Sequence, residues 1–241
     1  FQAEDGIRDS VASRGLGDVY KRQIGIMSPE SVKERIPLLF HNSTAKYLKV
    51  KLGSPDGIDT DKLMYEQVLE SSKKYNLGLR VDANGGWNTE EAKYMIEWLS
   101  KRKCDYVEQP IEQGMEKNLK TLYENRLLPI FVDESCQFSQ DIIEYSEWVD
   151  GVNLKLMKSG GITEGLKVLA TAKAYGLKTM IGCMSESSIS ISAAASISGH
   201  IDHIDLDSHY NLKPDPAYGA EMIDGITMPR LSPGHGAFLT N

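Results

Sequence analysis

Short apolar stretches alternate with amphipathic stretches along most of this chain. Residues 47–52 form a short, strand-like apolar run, and residues from about 59 to 75 then repeat apolar positions with the spacing of a helix. The same succession recurs from Ile24 to Asp207 and predicts eight strands separated by helices. Strands that alternate with helices indicate βαβ units and a parallel sheet, and eight of them favour a barrel of the (β/α)₈ type.

Several predicted elements start at recognisable capping signals. Ser28 followed by Pro29 is typical of a helix start, and Asn88 with Glu91 forms a capping-box pattern. The predicted strands cover residues 24–26, 47–52, 77–82, 105–108, 129–133, 151–156, 178–183 and 203–207. The predicted helices cover residues 28–41, 59–75, 88–102, 116–126, 139–147, 163–175 and 188–198.

The two ends of the chain depart from this pattern. Residues 1–23 have neither helical nor strand periodicity, and their sequence resembles translated read-through of a sequencing adapter; a genuine flexible N-terminus is the alternative. Residues 210–241 contain Pro, Gly and short strand-like pieces in place of an eighth helix. We therefore predict a leader over residues 1–23, a catalytic barrel over 24–209 and a tail over 210–241.

Composition narrows the class of protein without identifying it. The chain has 241 residues, of which 41% are hydrophobic and 25% charged, as in ordinary globular proteins. A net charge of −7 argues against nucleic acid as a partner, and the chain lacks the apolar run of about 18 residues that a membrane span needs. There is no signal-peptide pattern, and the three widely spaced cysteines fit reduced thiols. These features favour a cytoplasmic protein.

Acidic residues end three consecutive predicted strands. They are Asp82, Glu108 and Asp133. Neighbouring strands lie about 4.8 Å apart, and barrel active sites lie at the carboxyl ends of the strands, so the three carboxylates can converge. Bare carboxylates at that distance repel one another, whereas an oxygen-liganded Mg²⁺ stabilises them together. The sequence therefore predicts a magnesium site, and three separate loop-capping residues are the alternative.

Lysines stand on both sides of these strands. Lys49 and Lys51 share one face of their strand, which indicates either an exposed edge strand or a site in which one lysine lowers the pKa of the other. Lys51 and Lys155, on the second and sixth strands, would lie on opposite sides of a metal-bound substrate. That arrangement suits removal of an α-proton from one face of a carbon and its return to the other, through an enediolate. Lys158 is expected to be solvated or to position its loop.

Together these residues resemble the enolase superfamily. The motifs are Lys-x-Lys at 49–51, Asp-x-Asn at 82–84, Glu-Gln-Pro at 108–110, Asp-Glu-Ser at 133–135 and the run 153–161. In having lysines on both the second and the sixth strand, the chain resembles the muconate-lactonizing-enzyme-like subgroup. The resemblance implies a (β/α)₇β TIM-type barrel, one Mg²⁺ per subunit on Asp82, Glu108 and Asp133, and Lys51 and Lys155 as the two acid/base residues. Lys49 would tune Lys51 or help to hold a substrate carboxylate.

Two further segments resemble dipeptide epimerases of the L-Ala-D/L-Glu type. Asp205 and Asp207 end the eighth strand, where the family binds the ammonium group of a dipeptide. The family's strand-seven segment matches Cys183, Met184 and Ser185, which would line the substrate site. The resemblance therefore implies two-base epimerisation of a dipeptide at its α-carbon. The family's N-terminal capping domain is mostly missing from this sequence, and Gln23 stands where the family tends to have a hydroxyl residue, so we expect a truncated chain.

Other functions remain open at this point. Within the same superfamily the alternatives are an o-succinylbenzoate synthase or a cycloisomerase, which have no use for the two aspartates of the eighth strand. A class I aldolase would form a Schiff base on Lys155 and would not depend on Mg²⁺. A barrel fragment that is inactive without its cap is the non-enzymatic alternative. The expected partner is a small dipeptide, and the oligomeric state is open, a homo-oligomer included.

Overall fold

The computed structural model describes residues 21–41, 45–223 and 226–240. Most of the predicted leader, residues 1–20, lies outside the described residues. Among the described helices, none is both long enough and apolar enough to cross a membrane.

Eight parallel strands follow one another in sequence order, β1 to β8, as the alternating pattern predicts. Their bounds are β1 Lys21–Ile24, β2 Tyr47–Lys51, β3 Gly78–Asp82, β4 Cys104–Glu108, β5 Ile130–Val132, β6 Gly151–Leu154, β7 Lys178–Ile181 and β8 His203–Ile204. Four short strands follow in the tail, namely β9 Ala217–Tyr218, β10 Glu221–Ile223, β11 Ile226–Met228 and β12 Phe238–Leu239. The tail strands pair antiparallel, β10 with β11 and β12 with β9.

Helices connect the strands of the parallel sheet. Their bounds are α1 Pro29–Phe40, α2 Ile58–Ser72, α3 Thr89–Ser100, α4 Leu119–Tyr123, α5 Asp141–Tyr145, α6 Leu156–Ser159, α7 Ile162–Ala174 and α8 Ser188–Ile197. Both predicted caps are confirmed: Ser28 accepts a hydrogen bond from the N–H of Ser31, and Asn88 and Glu91 form a reciprocal capping box. These caps satisfy N–H groups that a helix start otherwise leaves unpaired.

The described residues divide into two compact units. The N-terminal unit contains Lys21–Cys136 and Asp141–Val152. Within it, Leu48 and Val50 of β2 are fully buried, and the alternate positions carry the two lysines. The register pairs Lys49 with Arg80 and Lys51 with Asp82. Because side chains on a strand alternate between faces, one face of β2 packs as apolar core while the other carries charge.

The C-terminal unit contains Gln137–Gln140 and the described residues from Asn153 onward. Within it, β7 pairs with β8 in parallel, Met180 with His203 and Ile181 with Ile204. Small residues of α8, such as Ala194 and Ala195, are buried and let neighbouring backbone approach closely. For example, the N–H of Ala220 donates to Ser192 Oγ at 2.6 Å.

The predicted boundaries differ from the structure in several elements. The eighth strand ends at Ile204, so Asp205 and Asp207 follow it and do not end it as predicted. The first strand is Lys21–Ile24, three residues earlier than predicted, and pairs Gln23 with Lys49. The sixth strand ends at Leu154 because the carbonyl of Lys155 accepts from the N–H groups of Lys158 and Ser159, which forms a helical turn. The predicted helices over 116–126 and 139–147 shorten to α4 and α5, each adjoined by a 3₁₀ turn.

Candidate active site

Three carboxylates of the N-terminal unit meet at the carboxyl ends of adjacent strands. Asp82 ends β3, Glu108 ends β4, and Asp133 directly follows β5. Each side chain is fully buried, and each offers an oxygen that lies within 4.8 Å of those of the other two. Asp82 and Glu108 are register partners, so the sheet itself sets them side by side. The sequence prediction that these three residues converge therefore agrees with the geometry.

Burial and mutual repulsion raise the cost of ionising this cluster. Removal from water raises the pKa of the Asp82 carboxyl to about 6, and the neighbouring charge of Glu108 adds to the increase. The lysine charges of Lys51 and Lys49 act in the opposite direction and limit it. A buried cluster of this kind gains stability from a cation that satisfies all three oxygens at once.

The two lysines of β2 each pair with one of these carboxylates. Lys49 Nζ lies 2.6 Å from Glu108 Oε2, and Lys51 Nζ lies 2.5 Å from Asp82 Oδ2. Their exposure separates them, since Lys49 is 2% exposed and Lys51 is 25% exposed. The edge-strand interpretation of β2 is wrong, because β2 lies between β1 and β3 and buries Lys49. Only Lys51 of this pair is accessible to a bound molecule.

A buried aspartate that the sequence analysis missed holds the loop after Lys51. Asp61 of α2 accepts hydrogen bonds from the N–H groups of Gly53 and Ser54, both at 3.0 Å, and from Trp87 Nε1 at 2.8 Å. Gly53 has a φ of +83°, and a Cβ on Gly86 would lie 2.5 Å from the Cα of Gly53. The loops that follow β2 and β3 therefore approach so closely that both positions require glycine. As one of several acidic residues in an amphipathic helix, Asp61 gave no sign of this role.

Lys155 lies in the C-terminal unit, directly after β6. It is 7% exposed, and its Nζ lies 3.7 Å from Met184 Sδ. Gly182 leaves room for it, because a Cβ at that position would lie 3.2 Å from Lys155 Cε. Lys158 Nζ donates to the carbonyl of Asn153 at 3.1 Å, which anchors the turn that begins at Lys155.

The other substrate-site candidates also lie in the C-terminal unit. The Cys183 thiol donates to the carbonyl of Asp205 at 3.1 Å, and burial raises the pKa of this thiol to about 11. Met184 is 46% exposed and Ser185 is also exposed. Asp205 and Asp207 are buried, at 6% and 7% exposure. The cysteine is therefore held as a thiol, while the methionine presents an apolar surface.

Glu186 organises the segment after β7, although sequence reasoning assigned it no role. Its Oε1 accepts the N–H of Met184 at 2.7 Å, and its Oε2 accepts the hydroxyl of Ser190. The N–H of Glu186 in turn donates to Ser208 Oγ at 3.2 Å. This buried carboxylate fixes the backbone at the methionine. The motif Ile-Gly-Cys-Met-Ser-Glu over 181–186 contained the residue, but nothing in the motif indicates its contact with Ser208, which is 22 residues away.

A family model described as Enolase C-terminal domain-like matches residues 38–240. The chain therefore belongs to this family, and the predicted α/β barrel fold of the enolase superfamily is confirmed.

Three known proteins are similar over most of the chain. A hydrophobic dipeptide epimerase from Flavobacteria bacterium strain MS024-2A is 63% identical over 216 residues, which are 90% of this chain and 62% of that protein. One from Roseobacter litoralis is 54% identical over 218 residues, 90% of this chain and 63% of that protein. The structure of a dipeptide epimerase from Enterococcus faecalis V583, complexed with Mg and L-Leu-L-Tyr, superposes with a TM-score of 0.82 at 28% identity, covering 98% of this chain and 69% of that one. The chain thus spans less than two thirds of the length of the two curated relatives.

Proposed function

We propose that this chain is the catalytic barrel of a Mg²⁺-dependent dipeptide epimerase. The observation that carries the proposal is the buried cluster of Asp82, Glu108 and Asp133 with the accessible Lys51 paired to one of its members. Proton removal next to a carboxylate needs a base, which an amine can supply, and a metal ion to stabilise the charge that develops. The names of the two curated relatives and of the E. faecalis structure support the same reaction class.

The donor set fits magnesium. Its three ligand residues supply only carboxylate oxygens, which hard cations such as Mg²⁺ prefer over nitrogen or sulfur. Three protein ligands also leave coordination positions for water and substrate. When bound, Mg²⁺ would polarise the substrate carboxylate and stabilise the negative charge that develops as the α-proton leaves. The same charge would offset the burial and the repulsion that together raise the pKa of the Asp82 carboxyl.

Two lysines are proposed to move the proton. In this proposal Lys51 and Lys155 each serve one stereoisomer: one removes the α-proton, and the other returns a proton to the opposite face. A lysine must be neutral to act as a base, and nearby positive charge lowers its pKa toward that state. Lys49 is proposed to contribute such charge without touching the substrate, because it is buried and paired with Glu108.

The dipeptide is proposed to be held by residues of the C-terminal unit. Asp205 and Asp207 are the candidates for binding its ammonium group, since a cation is attracted to two carboxylates that lie only two residues apart. Cys183, Met184 and Ser185 are proposed to line the side-chain site. The exposed thioether of Met184 favours an apolar neighbour, and the relatives at 63% and 54% identity are named hydrophobic dipeptide epimerases. We therefore propose hydrophobic dipeptides as substrates, ahead of the L-Ala-D/L-Glu pair.

The test is α-proton exchange in D₂O with Mg²⁺ and a dipeptide library, read by mass spectrometry. It uses the 241-residue chain and, beside it, a chimera that adds the portion of the Flavobacteria relative which this chain does not match. We expect deuterium uptake by dipeptides such as L-Leu-L-Tyr, abolished by EDTA, and slower uptake by L-Ala-L-Glu. No uptake by any dipeptide in the chimera would refute the proposal. Faster uptake by L-Ala-L-Glu would overturn the substrate preference alone.

A further inference from the structure

Gln109 occupies an unusual position between the carboxylate-bearing strands. It directly follows Glu108, is 1% exposed and has a φ of +40°, in the left-handed region that residues other than glycine seldom adopt. Such backbone strain persists only where surrounding contacts hold it in place. Contacts around Gln109 therefore hold it in this conformation.

Both ends of its side-chain amide are used. Its Oε1 accepts the N–H of Asp133 at 2.8 Å and the N–H of Ser135 at 3.3 Å. Its Nε2 donates to the carbonyl of Ile111 and to Ser135 Oγ, both at 2.9 Å. An amide is the side-chain group that accepts at one end and donates twice at the other, so neither a carboxylate nor an apolar group can replace it here.

The backbone of the same residue makes two more connections. Its N–H donates to the carbonyl of Phe131 in β5 at 2.8 Å, and its carbonyl accepts the N–H of Gly85 at 2.8 Å. Gly85 belongs to the loop that follows Asp82, whose Oδ1 accepts the N–H of Asn84 at 2.9 Å. One buried residue thus contacts the segments that carry all three carboxylates: it adjoins Glu108, binds the backbone of Asp133 and holds the loop of Asp82.

We propose that Gln109 is a positioning residue that sets the mutual placement of the three carboxylates and thereby the affinity of the site for a divalent cation. This inference rests on the proposed metal function of the cluster. Gln109 does not need to touch the metal, because the hydrogen bond to the N–H of Asp133 and the covalent link to Glu108 fix two ligands relative to each other. Residues that orient metal ligands in this way commonly change metal affinity by about 10- to 100-fold when they are replaced.

The experiment measures Mn²⁺ binding to the 241-residue chain, by titration calorimetry and by the loss of the free Mn²⁺ electron paramagnetic resonance signal. Mn²⁺ shares the oxygen-ligand preference of Mg²⁺ and can be observed directly. We expect Gln109→Leu to weaken Mn²⁺ affinity by about 10- to 100-fold. Gln67→Leu is the matched control, because Gln67 also uses its amide in a hydrogen bond, to Ser71 Oγ at 2.8 Å, but lies on α2. That variant should bind as the unsubstituted chain does.

Graded variants separate positioning from folding. Gln109→Glu keeps an acceptor for the N–H of Asp133 and loses the amide donors, so we expect a smaller loss than in Gln109→Leu. Ser135→Ala removes one acceptor of Nε2 and should cost less again. Far-UV circular dichroism in EDTA verifies that each variant is folded.

The outcomes distinguish this inference from the metal proposal. Unchanged Mn²⁺ affinity in a folded Gln109→Leu chain, or in Gln109→Glu should the leucine variant not fold, would overturn the positioning role and leave the metal site standing. Absence of Mn²⁺ binding by the unsubstituted chain would overturn both.

Discussion

Single residues of this chain carry charge at positions of nearly complete burial. Asp82, Glu108 and Lys49 are each at most 2% exposed, and they stay together because opposite charges lie within hydrogen-bond distance. Removing one member of such a group leaves its partner buried and unpaired, which costs more than the pair contributes. The effects of substitutions here therefore depend on pH and on metal.

The raised pKa of Asp82 predicts the pH dependence of metal-free stability. The pKa of this carboxyl in the folded chain is about 6, above the ordinary aspartate value of 3.8. A carboxyl whose pKa is raised on folding contributes its stability fully below the unfolded pKa and loses it as the pH rises through the folded pKa. In EDTA, the unsubstituted chain should therefore lose about 2 kcal/mol relative to Asp82→Asn between pH 4 and pH 7. Urea unfolding across that range measures the difference, and parallel pH profiles for the two chains would contradict it.

A methyl group at Gly182 should displace the side chain of Lys155. The Cβ of Gly182→Ala would lie 2.9 Å from both polar atoms of the Asn153 side chain and 3.2 Å from Lys155 Cε. Asn153 is fully buried, so the lysine has to move. We expect a loss of stability of about 1–3 kcal/mol and slower α-proton exchange by the full-length chimera. Gly25→Ala is the control, since a Cβ there meets nothing within 4 Å; equal behaviour of the two variants would refute the steric account.

At the scale of elements, the strand ends position the acidic and basic side chains of the site. Buried polar side chains hold the loops that follow these strands. The strand ends could be predicted from sequence because apolar runs stop at Asp82 and Glu108, and parallel strands bring their ends to one edge. The partners of these ends could not be predicted. The hydrogen bonds of Gln109 depend on a left-handed backbone turn, and those of Asp61 and Glu186 join residues from different segments of the chain. Periodicity carries no information about such contacts.

The lengths of the short helices also could not be predicted from apolar spacing. Apolar spacing over 116–126 and 139–147 predicted full helices, whereas α4 and α5 are Leu119–Tyr123 and Asp141–Tyr145. Lys155 likewise lies one residue beyond β6, where a helical turn begins. Its place in the order of the chain was predictable, but its local conformation was not, because backbone hydrogen bonds of the following turn decide it.

The loop after Lys51 should owe its stability to Asp61. Asp61→Ala would leave the N–H groups of Gly53 and Ser54 and the indole N–H of Trp87 without their acceptor, and we expect a loss of about 3 kcal/mol. Asp59→Ala, on the same helix, is the control: Asp59 is 88% exposed and pairs with Lys62, so its removal should cost no more than about 1 kcal/mol. Chemical denaturation of both variants measures this, and similar losses would contradict the anchoring role.

At the scale of the whole molecule, family membership and the site geometry point to the same chemistry. The chain belongs to the enolase C-terminal domain-like family and spans 62% and 63% of its two curated relatives. The family model covers the three carboxylates and both acid/base candidates. In the proposed reaction, each of the two lysines serves one stereoisomer.

Stereospecific α-proton exchange by lysine variants tests that claim most directly. Lys51→Ala and Lys155→Ala chimeras are each incubated with Mg²⁺ in D₂O, separately with the two epimers of one dipeptide that the unsubstituted chimera accepts. We predict that neither variant interconverts the epimers and that each retains deuterium uptake from one epimer, a different one in each variant. Loss of uptake from both epimers alike, or continued epimerisation by either variant, would contradict the two-base account.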